Sequence, residues 1–293
     1  MLKVNNNRKA FSLVELSVVL AVISFIVAVV IGGAVLKKAA RIKLIIAEVQ
    51  EVKAMTKQFE MNFNYLPGDF PDAGSLWGND CDGSSSGSDL CSGDGDGEID
   101  HINSSSNKEP HTFWQHLKKA KIINNTYTIA PNGSAPFTTS SNAYPSKIVK
   151  EGLYYPQYPV TDSSTAALSG FLSSDLTVKW FHSKHANKNL FLFGAQPLNT
   201  STSGGYQASG PLFYPRDVYL IDKKIDDSRP LTGIIKGVTY SSAANGWQGT
   251  TSTSSNECES YGNVTNKTDA ELLASVYNVD LKVKECIMLF DME

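Results

Sequence analysis

The chain reads as an α+β protein: a long N-terminal helix, membrane-spanning in its first half and amphipathic in its second, packed on an antiparallel β-sheet globular domain with long loops. Three observations lead there. Residues 11–36 form an apolar run in which Glu15 is the only charge, and residues 37–62 carry on at helical spacing. Beyond residue 121, short apolar or aromatic runs alternate with turn-forming residues, the pattern of half-buried strands. Between these regions, residues 72–107 are rich in Gly, Ser and Asp and poor in apolar side chains, the composition of a long loop.

Composition narrows the function. The net charge is −3, and loss of Lys3, Arg8 and Lys9 would take it to −6, so there is no basic nucleic-acid footprint and no nucleic-acid partner is expected. Phosphate-loop, dinucleotide and His-Glu-x-x-His motifs are absent, and the chain is read as a non-enzyme. All four cysteines lie beyond the apolar run, which suits an oxidising exterior.

At about 1.5 Å per residue, residues 11–36 are long enough to cross a hydrocarbon core of about 30 Å. The preceding residues hold Lys3, Arg8 and Lys9 and no acid, which keeps that end cytoplasmic. Lys37, Lys38, Arg41 and Lys43 follow the run and are read as stems that snorkel at the interface. A signal peptide cut near Gly32 and Ala34 is one reading, but the run exceeds the usual apolar core of such peptides. A plain anchor is another; it leaves Glu15 unexplained, since a carboxylate costs about 2.5–3.5 kcal/mol at the bilayer centre. The third is a cut between Ala10 and Phe11. The new amine then lies about one helical turn from Glu15, and on a staggered neighbour it can pair with that carboxylate.

The segment Arg8-Lys9-Ala10-Phe11-Ser12-Leu13-Val14-Glu15-Leu16 resembles the processing site of type IV pilins and type II secretion pseudopilins. In that family a basic leader is removed before a Phe, which is then N-methylated, and an acid follows four residues later. Where the family usually has Gly before the cut, this chain has Ala10. The resemblance implies a leader at 1–10, an N-terminal helix at 11–62 with its transmembrane half at 11–36, and an extracytoplasmic domain at 63–293. It further implies a structural filament subunit, held in the bacterial inner membrane before assembly and lying in the periplasm or at the cell surface afterwards. The implied partners are other pilin-like subunits, the prepilin peptidase, an inner-membrane assembly platform and the membrane itself. Two alternatives stand beside it: a minor or tip subunit that binds a ligand, and a secreted enzyme behind a signal peptide.

Ile42, Ile45, Ile46, Val49, Val52, Phe59 and Phe63 recur at three- and four-residue steps, so the helix continues to about Asn62 and seats the domain on that stripe. Such a helix from Phe11 would be about 78 Å long. Gly32-Gly33 is its weak point, each glycine costing about 1 kcal/mol against alanine. Tyr65-Leu66-Pro67-Gly68-Asp69-Phe70-Pro71 ends it, and is similar to a segment that follows the stalk in many pilin-like proteins.

Within the loop, Asp80, Asp82 and Asp89 precede Gly93-Asp94-Gly95-Asp96-Gly97-Glu98-Ile99-Asp100. Carboxylates alternating with glycines suit Ca²⁺, which takes six to eight oxygens in flexible geometry. Against an EF-hand loop, Asp94, Asp96, Gly97 and Ile99 fall in register, while Ser92 and Asn103 occupy the first and twelfth positions. The calcium set is therefore Asp94, Asp96 and Glu98, with Glu109 as the missing carboxylate. Pilin-like relatives use calcium in their globular domains, which favours the same reading by analogy. A zinc site through His101 or His111 lacks a close cysteine pair.

Residues 109–120 form a short amphipathic helix with Pro110 at its first position and Phe113, Leu117 and Ala120 on one side. Trp114 is expected to be packed and His116 exposed. Strands are expected at Ile148–Tyr155, Leu176–His182 and Leu190–Phe193, with one sheet face on the stalk helix. His182-Ser183-Lys184-His185 is read as a surface turn. Residues 216–227 make a second helix, whose Asp222, Asp226 and Asp227 are a lesser cation candidate. Residues 241–256 are a polar loop, and Leu281–Phe290 is the last strand, with a bulge near Glu285. Four cysteines allow three pairings, of which Cys81–Cys91 with Cys258–Cys286 is the most local. Pilins commonly staple the C-terminal segment, which supports the second pair by resemblance.

Overall fold

The computed structural model describes residues 12–79, 91–99, 109–124, 143–157, 188–195, 210–239, 258–260 and 269–292. The elements are α1 (Leu13–Phe63), α2 (Ala73–Trp77), α3 (Glu109–Lys119), β1 (Tyr144–Pro145), β2 (Gly152–Gln157), β3 (Leu190–Ala195), α4 (Pro215–Ile225), β4 (Ile235–Thr239), α5 (Asp269–Ala274) and β5 (Cys286–Asp291). The chain divides into two compact units, Met1–Leu44 and Ile45–Glu293.

In the first unit, the start of α1 is fixed by a reciprocal cap. The Val14 N–H donates to Ser12 Oγ (3.3 Å), and the Ser12 N–H donates to the Glu15 carboxylate (2.9 Å). This is a Ser-x-x-Glu capping box, which satisfies two donors that the first helical turn leaves open. The apolar side chains that follow, from Leu13 to Leu36, are exposed. Ser17 and Ser24 return their hydroxyl protons to Val14 O and Leu20 O, both at 2.8 Å, so neither leaves a polar group unsatisfied. The helix runs unbroken through Gly32-Gly33, the expected weak point.

In the second unit α1 buries Ile45, Val49, Val52 and Phe59 on one face, as the stripe predicts, together with Glu48 and Thr56. It stops where Asn64 turns left-handed (φ 59°) and donates its N–H to Glu60 O at 2.8 Å.

The sheet is antiparallel throughout, in the order β1-β2-β3-β5-β4. Registers such as Tyr154↔Phe193, Phe191↔Phe290 and Val238↔Ile287 sort side chains by face. Leu153, Tyr155, Leu190, Leu192, Ile287 and Leu289 pack together on one side. The other side is aromatic: Tyr154 stacks on Phe193 at 4.1 Å, and Phe113 and Trp114 of α3 lie 5.5 and 6.0 Å from Phe191. On this side the buried Glu48 accepts hydrogen bonds from the hydroxyls of Ser146 (2.6 Å) and Tyr154 (3.0 Å) and from the Lys147 N–H. The helix is thus tied to the β1–β2 hairpin, as expected of a sheet with one face on the stalk. The second face is covered too, so β3 and β5 read as continuous apolar runs rather than alternating ones.

Several expectations shift. Residues 148–151 are a turn, with the Ser146 Oγ accepting the Ile148 and Val149 N–H groups, and the strand starts at Gly152 rather than Ile148. The last strand is only Cys286–Asp291; Glu285 precedes it, so the change of alternation marks a strand boundary and not a bulge. The helices expected at 109–120 and 216–227 are α3 and α4. The Leu176–His182 strand and the His182–His185 turn lie outside the described residues. Cys258 and Cys286 form the expected disulfide, with Cα atoms 5.1 Å apart. Cys91 is also disulfide-bonded, while Cys81 lies outside the described residues.

Glu48→Ala removes one acceptor from three donors while leaving them buried or half-buried. It should destabilise the domain by about 3 kcal/mol, with Glu48→Gln recovering part of that, as read by urea denaturation. A loss below about 1 kcal/mol would show that the helix is held by apolar burial alone.

Candidate functional site

The turn after α1 organises the acidic loop. Gly68 sits at φ +94°, and its N–H donates to His116 Nδ1 at 2.8 Å; His116 Nε2 in turn donates to Cys91 O at 2.8 Å. One ring nitrogen accepts and the other donates, so the imidazole is neutral. His116 is fully buried, which corrects the expectation of an exposed side chain, and it stacks 5.9 Å from Phe59. Position 116 belongs to the apolar face marked by Phe113, Leu117 and Ala120, which is why α3 carries it inward. Gly93 then crosses the turn so closely that a Cβ there would lie 2.4 Å from Gly68 O.

This crossing brings Asp69 beneath the glycine-rich segment. Its two carboxylate oxygens accept the N–H groups of Gly95 (2.6 Å) and Gly97 (3.0 Å). Asp94 accepts the Asp96 N–H (3.2 Å) and Asp96 accepts the Glu98 N–H (2.8 Å), each on one oxygen. Asp69, Asp94 and Asp96 bring one oxygen each to within 4.8 Å of one another. Burial pushes the Asp69 carboxyl up to about 6; the Gly97 and Gly95 donors oppose that, and the charges of Asp96 and Asp94 add to it.

The residues expected to bind calcium are therefore only partly gathered. Asp94 and Asp96 come together, and the third acid is Asp69, far away in sequence. Glu98 and Glu109 fall outside this group; Glu109 instead accepts the Asp94 N–H at 3.3 Å from the start of α3. Asn189 closes the loop's far end, accepting the Ile99 N–H at 2.8 Å and donating to Gly97 O at 2.9 Å. Asp80, Asp82, Asp89, Asp100 and His101 lie outside the described residues, as do Ala10 and Phe11. A carboxylate placed directly after a Pro-Gly turn was the sequence signal for Asp69; nothing local marks Asn189.

The lesser acidic group is a hydrogen-bonded joint. Asp222 is buried and accepts the Tyr277 hydroxyl (2.8 Å) and the Ser228 N–H (2.9 Å). Asp226 takes the N–H groups of Ile234 and Ile235, and Asp227 takes those of Arg229 and the Thr232 hydroxyl. The cluster thus anchors α4 to β4 and to the segment bounded by the Cys258–Cys286 disulfide.

The prokaryotic N-terminal methylation motif matches residues 5–35, the signature of type IV pilins and pseudopilins. No curated protein and no solved structure matches the chain. The motif implies, in general terms, processing by prepilin peptidase and assembly into filaments, and with the apolar helix it fits an inner-membrane-anchored precursor.

Asp222 supplies a pH dependence. Burial pushes its carboxyl up to about 7, with the Tyr277 and Ser228 donors opposing. The folded chain then holds a proton that the unfolded chain releases near pH 4, so stability from this group is greatest below about 4 and declines as pH rises to 7. The melting temperature should fall between pH 4 and 7 more steeply in the wild type than in Asp222→Asn. Parallel profiles would remove Asp222 as the source.

Proposed function

We propose, from a chain whose residues 5–35 carry the pilin and pseudopilin signature, that it is a structural subunit of a type IV pilus or type II secretion pseudopilus. It is cut between Ala10 and Phe11 and assembles through the first half of α1. The observation that carries this is the motif followed by an exposed apolar helix whose only charge up to Leu36 is Glu15. In a bundle of such helices the apolar side chains pack against neighbours, and Glu15 pairs with the amine freed at a neighbour's Phe11. The globular domain lies outside the cytoplasm, and an inner-membrane platform drives assembly.

The capping box gives Glu15 a competing local role, and the two roles separate cleanly by substitution. Glutamine also closes a capping box, yet it carries no charge for an ammonium. Glu15→Gln should leave the domain folded and the helix capped but lower filament yield by about tenfold or more, scored by electron microscopy and shearing. Normal filaments in that variant would reduce Glu15 to a helix cap. Mass spectrometry of the mature terminus should find N-methylated Phe11; a terminus at Met1, or near Val35, overturns the processing scheme.

We also propose that Asp69, Asp94 and Asp96 hold a calcium ion. Hard carboxylate oxygens in glycine-bounded turns suit that ion, and Asp94 and Asp96 each keep an oxygen not taken by the loop backbone. Bound calcium would offset the mutual repulsion of the three acids. At a hundred times its dissociation constant it should add about 2.7 kcal/mol and raise the melting temperature by on the order of 5 °C over chelator. Asp96→Asn, at an exposed position, should remove that increment. Identical melting in calcium and chelator would discard the site.

A further inference from the structure

We infer that the cleft running along α1 from Gln50 to Asn64 is a binding site for a neutral, hydroxyl-rich ligand, an oligosaccharide of a few rings. Its volume is about 810 Å³, inside the range of roughly 300–1,000 Å³ common for small-molecule sites. The helix contributes Gln50, Lys53 and Lys57, the turn at its end contributes Asn64, and the acidic loop contributes Gly95 to Gly97 with Asp69 behind them. This loop wall is braced before any ligand arrives. Asp69 holds the Gly95 and Gly97 N–H groups, and Asn189 clamps Gly97 O and the Ile99 N–H. A site that is already ordered loses little entropy on binding.

The lining decides among ligand classes. Lys57 is paired with Glu60 at 2.8 Å, and the other charges of the lining, Lys53, Asp69 and Asp96, are of both signs, so the wall presents no block of one charge. That disfavours a ligand recognised by its own charge. A peptide that binds by adding a strand needs an open strand edge, but the strand-end residues in the lining, Asn189 and Met292, already bond each other, Met292 N–H to Asn189 O at 3.0 Å. Ala54, Leu66 and Met292 make part of the wall apolar, but they are interleaved with Gln50, Lys53, Lys57 and Asn64, so a wholly apolar ligand would cover polar groups without pairing them. What remains is the pair of amides on Gln50 and Asn64, whose side chains make no hydrogen bond among the described residues. Each presents donors and an acceptor together. Tyr65 adds an aromatic side chain. Amides that give and take protons, next to an aromatic surface, match paired hydroxyls on a sugar and its C–H face.

The inference uses the helix side of the cleft and rests neither on filament membership nor on calcium. The full chain, in a detergent without a sugar head group, is titrated with maltotriose, cellotriose, chitotriose and mannotriose by saturation-transfer NMR. The series is run in calcium and again in chelator, and binding in either buffer counts for the site. At least one trisaccharide should bind. Gln50→Trp fills the cleft from an exposed helix position and should weaken that binding about tenfold, or roughly 1.4 kcal/mol, with melting unchanged. Asn64→Gly keeps the left-handed turn and should weaken it about fivefold. No binding by any of the four, equal binding by a folded Gln50→Trp variant, or binding of a charged tripeptide in their place overturns the proposal.

Discussion

His116 is a neutral imidazole sealed inside the domain, and three segments meet on it. Its Nδ1 receives the turn after α1 through Gly68, its Nε2 reaches Cys91 at the start of the glycine-rich segment, and its ring lies against Phe59 of α1. Each bond is needed because the groups it satisfies are buried, and a buried N–H or C=O without a partner costs about 1–3 kcal/mol. The ring cannot make both bonds in its charged form, since the Nδ1 would then be a donor facing a donor. The position of the acidic loop thus follows from the protonation state of one side chain on α3.

From that joint outward, carboxylates do the ordering that a larger apolar core would do elsewhere. Asp69, Asp94, Asp96, Asp222, Asp226 and Asp227 each accept backbone N–H groups in short glycine- or serine-bearing turns. Glu48 does the same between α1 and the β1–β2 hairpin. Lys236, fully buried on β4, is a cationic counterpart: it pairs with Asp291 at 3.2 Å, and Asp291 also meets Lys188 at 3.3 Å. Burial lowers the Lys236 pKa, and the Asp291 charge opposes that. The arrangement makes the fold sensitive to the loss of single acids, because each removal strands donors rather than merely weakening a contact.

The parts of this fold that sequence made legible are those fixed by local period. The stripe from Ile45 to Phe59, the amphipathic α3 and α4, and the apolar runs of β3 and β5 all announce themselves within one window. Strand β4 did not: Lys236 and Gly237 look like turn residues after Pro230 and Gly233, and only the partner Asp291 makes the lysine acceptable in a sheet. The glycine is needed because a Cβ at 237 would lie 2.5 Å from the Tyr277 ring. Helix α2 is five residues long, below the length at which periodicity can speak. At the acidic loop, alternation exposed Asp94 and Asp96, but Asp69 and Asn189 arrive from other elements. Side-chain clusters assembled across the chain leave no spacing to read.

The same limit applies at the other end of α1, where the chemistry of one acid depends on what surrounds it. In the intact chain Glu15 is satisfied locally by the Ser12 N–H, a bond worth about 1 kcal/mol as a helix cap. In the proposed filament, a cut after Ala10 creates an ammonium beside an apolar bundle, where an unpaired charge costs several kcal/mol. Glu15 is the sole carboxylate up to Leu36, so each new amine has one kind of partner per subunit. Exchange of a cap on a neutral N–H for a charge pair is favourable only once lipid or neighbouring helices exclude water, because the pair gains strength as the local dielectric falls. The precursor's own cap therefore need not compete with assembly: it holds the first turn until the surroundings make the stronger bond available.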